Sequence, residues 1–303
     1  MTRPMFSVVI PAFNRAATVL PTLKSVRDQT FADWECIVVD DGSADGEALK
    51  AAVEGMNDPR FRYVWRENGG GGAARNSGIE AATGDYIAFL DSDDFFLPDK
   101  LATFAGTMTD DPDIAWYAPT YVDRGVEKRW VRPDRAIGDR EDVGEYLFVA
   151  NQFIQTSTLV LKTETARRIP FDPALRKGQD LDLCVRLQAG GVRFRMLPEP
   201  LTVWVDASEA NRTSRHRGWE APTAWLEGAR PMLTDKAFRG YRATVLAYYL
   251  AGAKPFRALS YILDGWVRAG VPLGICARQI ARSFIPRSTY RRAVNTYVAL
   301  RGR

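Results

Sequence analysis

Four short apolar runs, each set off from the next by a helix-compatible stretch, constrain this chain more than anything else in it. FSVVIPAF (6–13), WECIVVD (34–40), FRYVWR (61–66) and DYIAFLD (85–91) have the length and the apolar, β-branched and aromatic content of buried strands. Residues 17–29, 44–55 and 73–82 between them read as helices. Strands joined through helices need right-handed crossovers and lie parallel in one sheet. The expected class is α/β.

The second half changes character. Residues 113–121, 125–132, 153–161, 192–197 and 201–205 read as shorter strands, and 180–189 as an amphipathic helix. Strand signals stop near residue 207, and from 218 onward helices are broken by Pro231, Pro255, Pro272 and Pro286. The polar run SEANRTSRHRG at 208–218 separates the two parts. We expect one α/β unit at 1–215 and a helical, basic extension at 216–303. A length of 303 residues suits one large domain with an extension, and 46% hydrophobic residues suffice for a core.

Charge is unevenly spread. Residues 254–303 carry ten basic side chains against the single acid Asp264, within a chain of net charge +4, so the rest is acidic. An acidic body argues against a nucleic-acid binder; a basic tail suits an anionic lipid surface. Cys36, Cys184 and Cys276 form no CxxC pair, which fits a reducing compartment better than a disulfide framework. Neither a signal-peptide core nor an apolar stretch near 18 residues is found. The expected location is cytoplasmic, with the tail either meeting the inner face of the cytoplasmic membrane or packing on the core.

Ligands of open α/β sheets bind beyond the carboxyl ends of the strands. The residues there are Pro11, Ala12, Phe13, Asn14 and Arg15 after the first strand, and Asp40, Asp41, Gly42 and Ser43 after the second. Asn68, four glycines, Arg75 and Asn76 follow the third, and Asp91, Ser92, Asp93 and Asp94 the fourth. In an extended segment Asp91 and Asp93 point the same way, as two hard oxygen ligands for Mg²⁺ or Mn²⁺. The same residues could instead form a plain strand-end turn, with Asp94 capping the helix that Pro98 helps to start. The glycine run lacks a P-loop ending, and PAFNRAAT replaces the glycine fingerprint a dinucleotide would need. Its remaining roles are close backbone approach to a ligand or plain loop flexibility. In KGQDLDLCVRL (177–187), Asp180 stands at a helix start, where it can complement the helix dipole or act as a general base.

VVIPAFNR, VVDDGS, GGAARNSGI, GDYIAFLDSDD and GQDLDLCVRL, in this order, resemble glycosyltransferase family 2 over roughly residues 6–207. The resemblance implies the GT-A fold, a Rossmann-like, mostly parallel sheet flanked by helices. It implies an inverting transfer from a UDP-sugar to an acceptor hydroxyl, with a saccharide on a polyprenyl diphosphate as a plausible acceptor in polysaccharide assembly. Pro11 to Arg15 would line the nucleotide pocket and Asp41 would contact the base. Asn68, Arg75, Asp91 and Ser92 would complete the pocket. Asp93 would bind Mn²⁺ or Mg²⁺, with Asp91 at the ribose or metal shell, and Asp180 would be the base. Gln179 departs from the glutamate the family most often has there. Residues 211–217 could approach the diphosphate, with His216 as a metal ligand or as an ordinary surface histidine. A non-catalytic nucleotide-sugar binder conflicts with retention of Asp93 and Asp180. A nucleotidyltransferase conflicts with the absence of a glycine- and lysine/arginine-rich loop after the first strand.

Overall fold

The computed structural model describes residues 3–206 and 218–301. In it the four runs become β1 (Phe6–Ala12), β2 (Trp34–Asp40), β3 (Phe61–Trp65) and β4 (Tyr86–Phe89). They are joined through α1 (Leu20–Arg27), α2 (Gly46–Glu54) and α3 (Gly71–Ala81). β1 pairs in parallel with β2 and β4, and β2 with β3. Every residue of β2 is buried, as a central strand covered on both faces requires. Alternation along β1 feeds two cores: Val9 joins Ile37, Val39 and Phe89 on one face, while Phe6, Val8 and Ile10 join Cys36 and Val38 on the other. α3 lies so close to the sheet that a Cβ on Gly78 would sit 2.3 Å from Val9 Cγ1. That approach carries Arg75, one turn earlier on α3, toward the end of β4.

The chain continues through β5 (Phe95–Phe96), α4 (Lys100–Thr107), β6 (Ile114–Tyr117), β7 (Thr120–Asp123), β8 (Trp130–Arg132), β9 (Leu159–Lys162) and α5 (Thr163–Arg168). α6 (Gln179–Ala189), β10 (Arg193–Met196) and β11 (Thr202–Val205) follow. A seven-stranded sheet has the order β10-β6-β9-β4-β1-β2-β3, in which β9 alone runs antiparallel to its neighbours. A second sheet, β5-β11-β7-β8, stands beyond the ends of β4 and β6. The expected strand at 113–121 is therefore two strands in different sheets. Pro119, which has no N–H for a ladder, lies at the break. The expected strand at 153–161 begins only at Leu159, because Thr156–Thr158 is a 3₁₀ turn capped by the Gln155 side chain.

Six helices follow: α7 (Glu220–Ala229), α8 (Asp235–Tyr241), α9 (Ala247–Leu250), α10 (Pro255–Asp264), α11 (Leu273–Phe284) and α12 (Arg287–Arg301). Leu226, Tyr241, Leu246 and Ile262 share a core with Phe148 and Leu183. Trp225 on α7 donates its indole N–H to Asp182 on α6 (2.9 Å), tying the two parts together. Among the described residues no helix is long and apolar enough to cross a membrane. The division expected at 215/216 and the 211–217 segment with His216 lie outside the described residues.

Candidate active site

The strand order reverses between β1 and β4, and the loops expected to converge there are hydrogen-bonded to one another. Asn14, at φ 53°, accepts from the Ala44 N–H (2.8 Å) and donates its own N–H to Ser43 Oγ (2.9 Å). Ala12 closes β1 by accepting the Asp41 N–H (2.9 Å). Buried Asp40 accepts from the Ser43 N–H (2.8 Å) and the Tyr63 hydroxyl (2.5 Å). Asp41, also buried, accepts from the N–H groups of Gly69 (3.0 Å) and Gly70 (2.7 Å) and from Arg66. Asn68 donates to the Asp41 carbonyl (2.8 Å). The glycine run is thus an organised loop whose shape Asp41 sets. Gly70 takes φ 90°, and a Cβ there would come within 2.6 Å of Arg176 Nη1.

Residues 91–94 form a turn closed by the Asp94 N–H on the Asp91 carbonyl (3.0 Å), so the extended alternation expected for Asp91 and Asp93 does not apply. Each carboxylate has its own arginine: Arg75 Nη2 on Asp91 (2.5 Å) and Arg15 on Asp93 (3.1 Å). Gln155 also donates to Asp91 (3.0 Å). Buried Ser92 accepts from the Thr22 hydroxyl through its carbonyl (3.2 Å). Asp94 does not cap a helix; the residue before α4 is Asp99. Asp94 is buried and accepts from Ser157 Oγ (2.7 Å), Gln155 (2.9 Å) and the Val205 N–H (3.1 Å). Burial pushes its carboxyl well above the usual carboxylate range.

No group of three or more His, Cys, Asp or Glu side chains among the described residues could hold a metal unaided. Asp91 and Asp93 nonetheless present two hard oxygen donors on one turn, and Asp93 keeps 45% of its side chain exposed. That donor set fits a divalent cation whose remaining ligands come from a bound diphosphate and water.

Asp180 occupies the first turn of α6, after Gly178 in the left-handed region (φ 67°). It is half-buried and accepts the Leu181 N–H (2.9 Å). Burial pushes its carboxyl up to about 6, and the charge of Asp91 adds to the rise while the Leu181 N–H and Arg75 oppose it. Arg75 links this helix to the acidic turn: its Nη1 donates to Gln179 Oε1 (2.6 Å) while Nη2 holds Asp91. Gln179 Nε2 donates to the Leu175 carbonyl (2.5 Å), a bond that a glutamate could not make. Asp182 instead braces the helix, accepting from Arg186 Nε (2.7 Å) and Trp225. Asp180 opens into a cleft of about 900 Å³ between the sheets and the C-terminal helices.

The family model for Glycosyl transferase family 2 matches residues 7–174. Amylovoran biosynthesis glycosyltransferase AmsB of Erwinia amylovora is 35% identical over 270 residues, 84% of this chain and 88% of that protein. In fold, the chain is similar to residues 1–349 of S. aureus TarS (TM-score 0.63, 17% identity, 96% of this chain and 90% of that one), a segment also solved in complex with UDP-GlcNAc. It is likewise similar to the mannosyltransferase PcManGT from Pyrobaculum calidifontis in complex with GDP-Man and Mn²⁺ (TM-score 0.58, 20% identity, 99% and 87%). The sheet, its flanking helices and these neighbours are those of the GT-A fold. The chain belongs to glycosyltransferase family 2.

Proposed function

We propose that the chain moves a sugar from a UDP-sugar to an acceptor hydroxyl, with inversion, during polysaccharide assembly. One observation carries the reading. The Asp180 carboxyl, raised to about 6, borders a large cleft, and Arg75 ties its neighbour Gln179 to the acidic turn at Asp91. Such a carboxylate is ionised at neutral pH yet accepts a proton more readily than an exposed aspartate.

In this reading Asp180 takes the proton of the attacking hydroxyl, and a single displacement on the face opposite the diphosphate inverts the anomeric carbon. Pro11, Ala12, Phe13, Asn14, Arg15, Asp41, Asn68, Arg75, Asp91 and Ser92 form the nucleotide-sugar pocket. Phe13, 50% exposed, offers an aromatic surface to the base. Asp93 and Asp91 would hold Mn²⁺ or Mg²⁺, which when bound offsets charge growing on the departing diphosphate. Arg15 and Arg75, already at those carboxylates, supply fixed positive charge beside it. The name of AmsB supports polysaccharide assembly, and the TarS complex supports a UDP-sugar.

The helices after residue 216 form an extension suited to the inner face of the cytoplasmic membrane. Phe256, Leu263, Trp266, Val267 and Leu273 are 46–87% exposed, with Arg257 and Arg268 exposed among them. An apolar surface rimmed by cations fits a membrane interface and not a nucleic acid.

The test is a panel of UDP-, GDP- and dTDP-sugars with Mn²⁺, Mg²⁺ or EDTA, read by nucleotide release. Slow UDP release from a UDP-sugar, dependent on a divalent ion, is expected. Pyrophosphate release would indicate a nucleotidyltransferase, and binding without turnover a nucleotide-sugar sensor.

A further inference from the structure

The cleft beside Asp180 is unevenly charged. Among the described residues, six arginines line it against two carboxylates, Asp180 and Asp206. Arg124 pairs with Asp206, and Arg291 donates to the Asp206 carbonyl (2.6 Å). Arg132, Arg278, Arg282 and Arg287 remain. Among the described residues, only Arg132 of these four has an ion pair, a loose one of 3.6 Å to Asp134. Arg132 Nε is buried without a partner. Burial holds both Arg132 and Arg278 below the usual guanidinium range; Asp134 opposes this at Arg132 and Tyr290 at Arg278, while a neighbouring arginine, Arg278 and Arg282 respectively, adds to it. Gathering cations with so little countercharge is unfavourable unless an anion joins them.

Helix α11 has an orientation that fits such a ligand. Its solvent face carries Leu273, Ile280 and Phe284, 64%, 38% and 44% exposed, while Arg278 and Arg282 line the cleft. At about 100° per residue the three apolar positions form one stripe, and the two arginines fall roughly 140–180° away from its centre. The helix packs on the core through a third face, where Cys276 and Gln279 are buried, so the stripe and the arginines flank that face on opposite sides. Phe153 and Trp204, with ring centroids 5.1 Å apart, line the same cleft and give a sugar ring a stacking surface.

The geometry points to an anion site separate from the donor pocket, in which Arg132, Arg278, Arg282 and Arg287 bind the phosphate or diphosphate that joins the acceptor saccharide to its carrier. The saccharide then lies along Phe153 and Trp204 with a hydroxyl toward Asp180. Guanidinium groups suit this ligand because their planar forks bind phosphate oxygens in pairs. The orientation toward Asp180 rests on the reading of that residue as the base; the anion site itself does not.

The probe is inorganic pyrophosphate, titrated by calorimetry into the full chain in EDTA, where the metal-assisted donor pocket is disabled. Saturable binding is expected, weakened at least tenfold in the double variant Arg278→Gln/Arg282→Gln, with UDP affinity in Mn²⁺ unchanged. In transfer assays the same variant should raise KM for a diphosphate-linked acceptor tenfold or more and leave KM for a neutral methyl glycoside unchanged. Farnesyl diphosphate binding more tightly than pyrophosphate assigns the site to a lipid-borne acceptor. Its exclusion assigns the site to a soluble one. Pyrophosphate binding that ignores the double variant, or a loss of UDP binding along with it, overturns the proposal. If no nucleotide sugar is turned over but arginine-dependent pyrophosphate binding persists, the transferase reading fails and the anion site stands.

Discussion

Replacing Asp180 with asparagine separates chemistry from architecture, because the change is nearly isosteric and the amide oxygen can still accept the Leu181 N–H. Loss of a general base costs ~10²–10⁴ in rate, so transfer should fall by at least ~10²-fold while donor affinity stays near that of the parent. Stability should move the other way. The folded carboxyl sits at about 6 against an ordinary 3.8, so the folded state binds its proton more tightly than the unfolded chain. Stability from this group is therefore fully present below pH 3.8 and is lost as pH rises through about 6. At 1.36 kcal/mol per pH unit the charged form costs about 3 kcal/mol at pH 7, reduced to about 1–2 kcal/mol because the side chain is only half-buried. Asp180→Asn should thus be more stable than the parent at pH 7 by about that amount, with the gap closing toward pH 4. Urea denaturation at both pH values and single-turnover transfer give the two numbers. An inactive variant that is also destabilised at pH 7 would mean that Asp180 braces the fold and is not a base held at a cost.

Two further outcomes follow. Gln179→Glu puts a second carboxylate on Arg75 and removes the donor to the Leu175 carbonyl, so the acid limb of the kcat profile should move up from about 6. An unmoved limb would detach Asp180 from this network. Full-length protein should sediment with anionic vesicles at low salt and retain a salt-resistant fraction, which Phe256→Ser/Leu263→Ser should abolish; binding that ignores this pair would remove α10 from any membrane contact.

The sequence announced the four strands, the three helices between them and the loops that meet at their ends, because a short apolar run and the residue after it are local signals. Asp180 at a helix start was legible for the same reason. What holds the acidic turn was not. Gln155 and Ser157, more than 60 residues away, grip Asp91 and Asp94 from a run that reads as plain strand. Lys100, at the start of α4, has its amine fully buried, donating to the Ser157 carbonyl (2.8 Å) and Thr202 Oγ1 (3.0 Å). Burial brings it down to about 7, opposed by the charge of Asp94. The alternative of Asp94 as a helix cap rests on Pro98 starting a helix nearby; the second sheet, invisible locally, buries Asp94 instead. The arginine cleft was hidden in the same way, since a basic tail carries no local sign of which arginines gather at one cleft.

The central claim is that nucleotide-sugar binding here runs through a divalent cation at the acidic turn. UDP titrated by calorimetry into the parent and Asp93→Ala, each with Mn²⁺ and with EDTA, tests it most directly. The account predicts Mn²⁺-dependent binding to the parent, and an Asp93→Ala protein that is folded by circular dichroism but binds UDP no better with Mn²⁺ than with EDTA. Equal UDP affinity in all four titrations would contradict it.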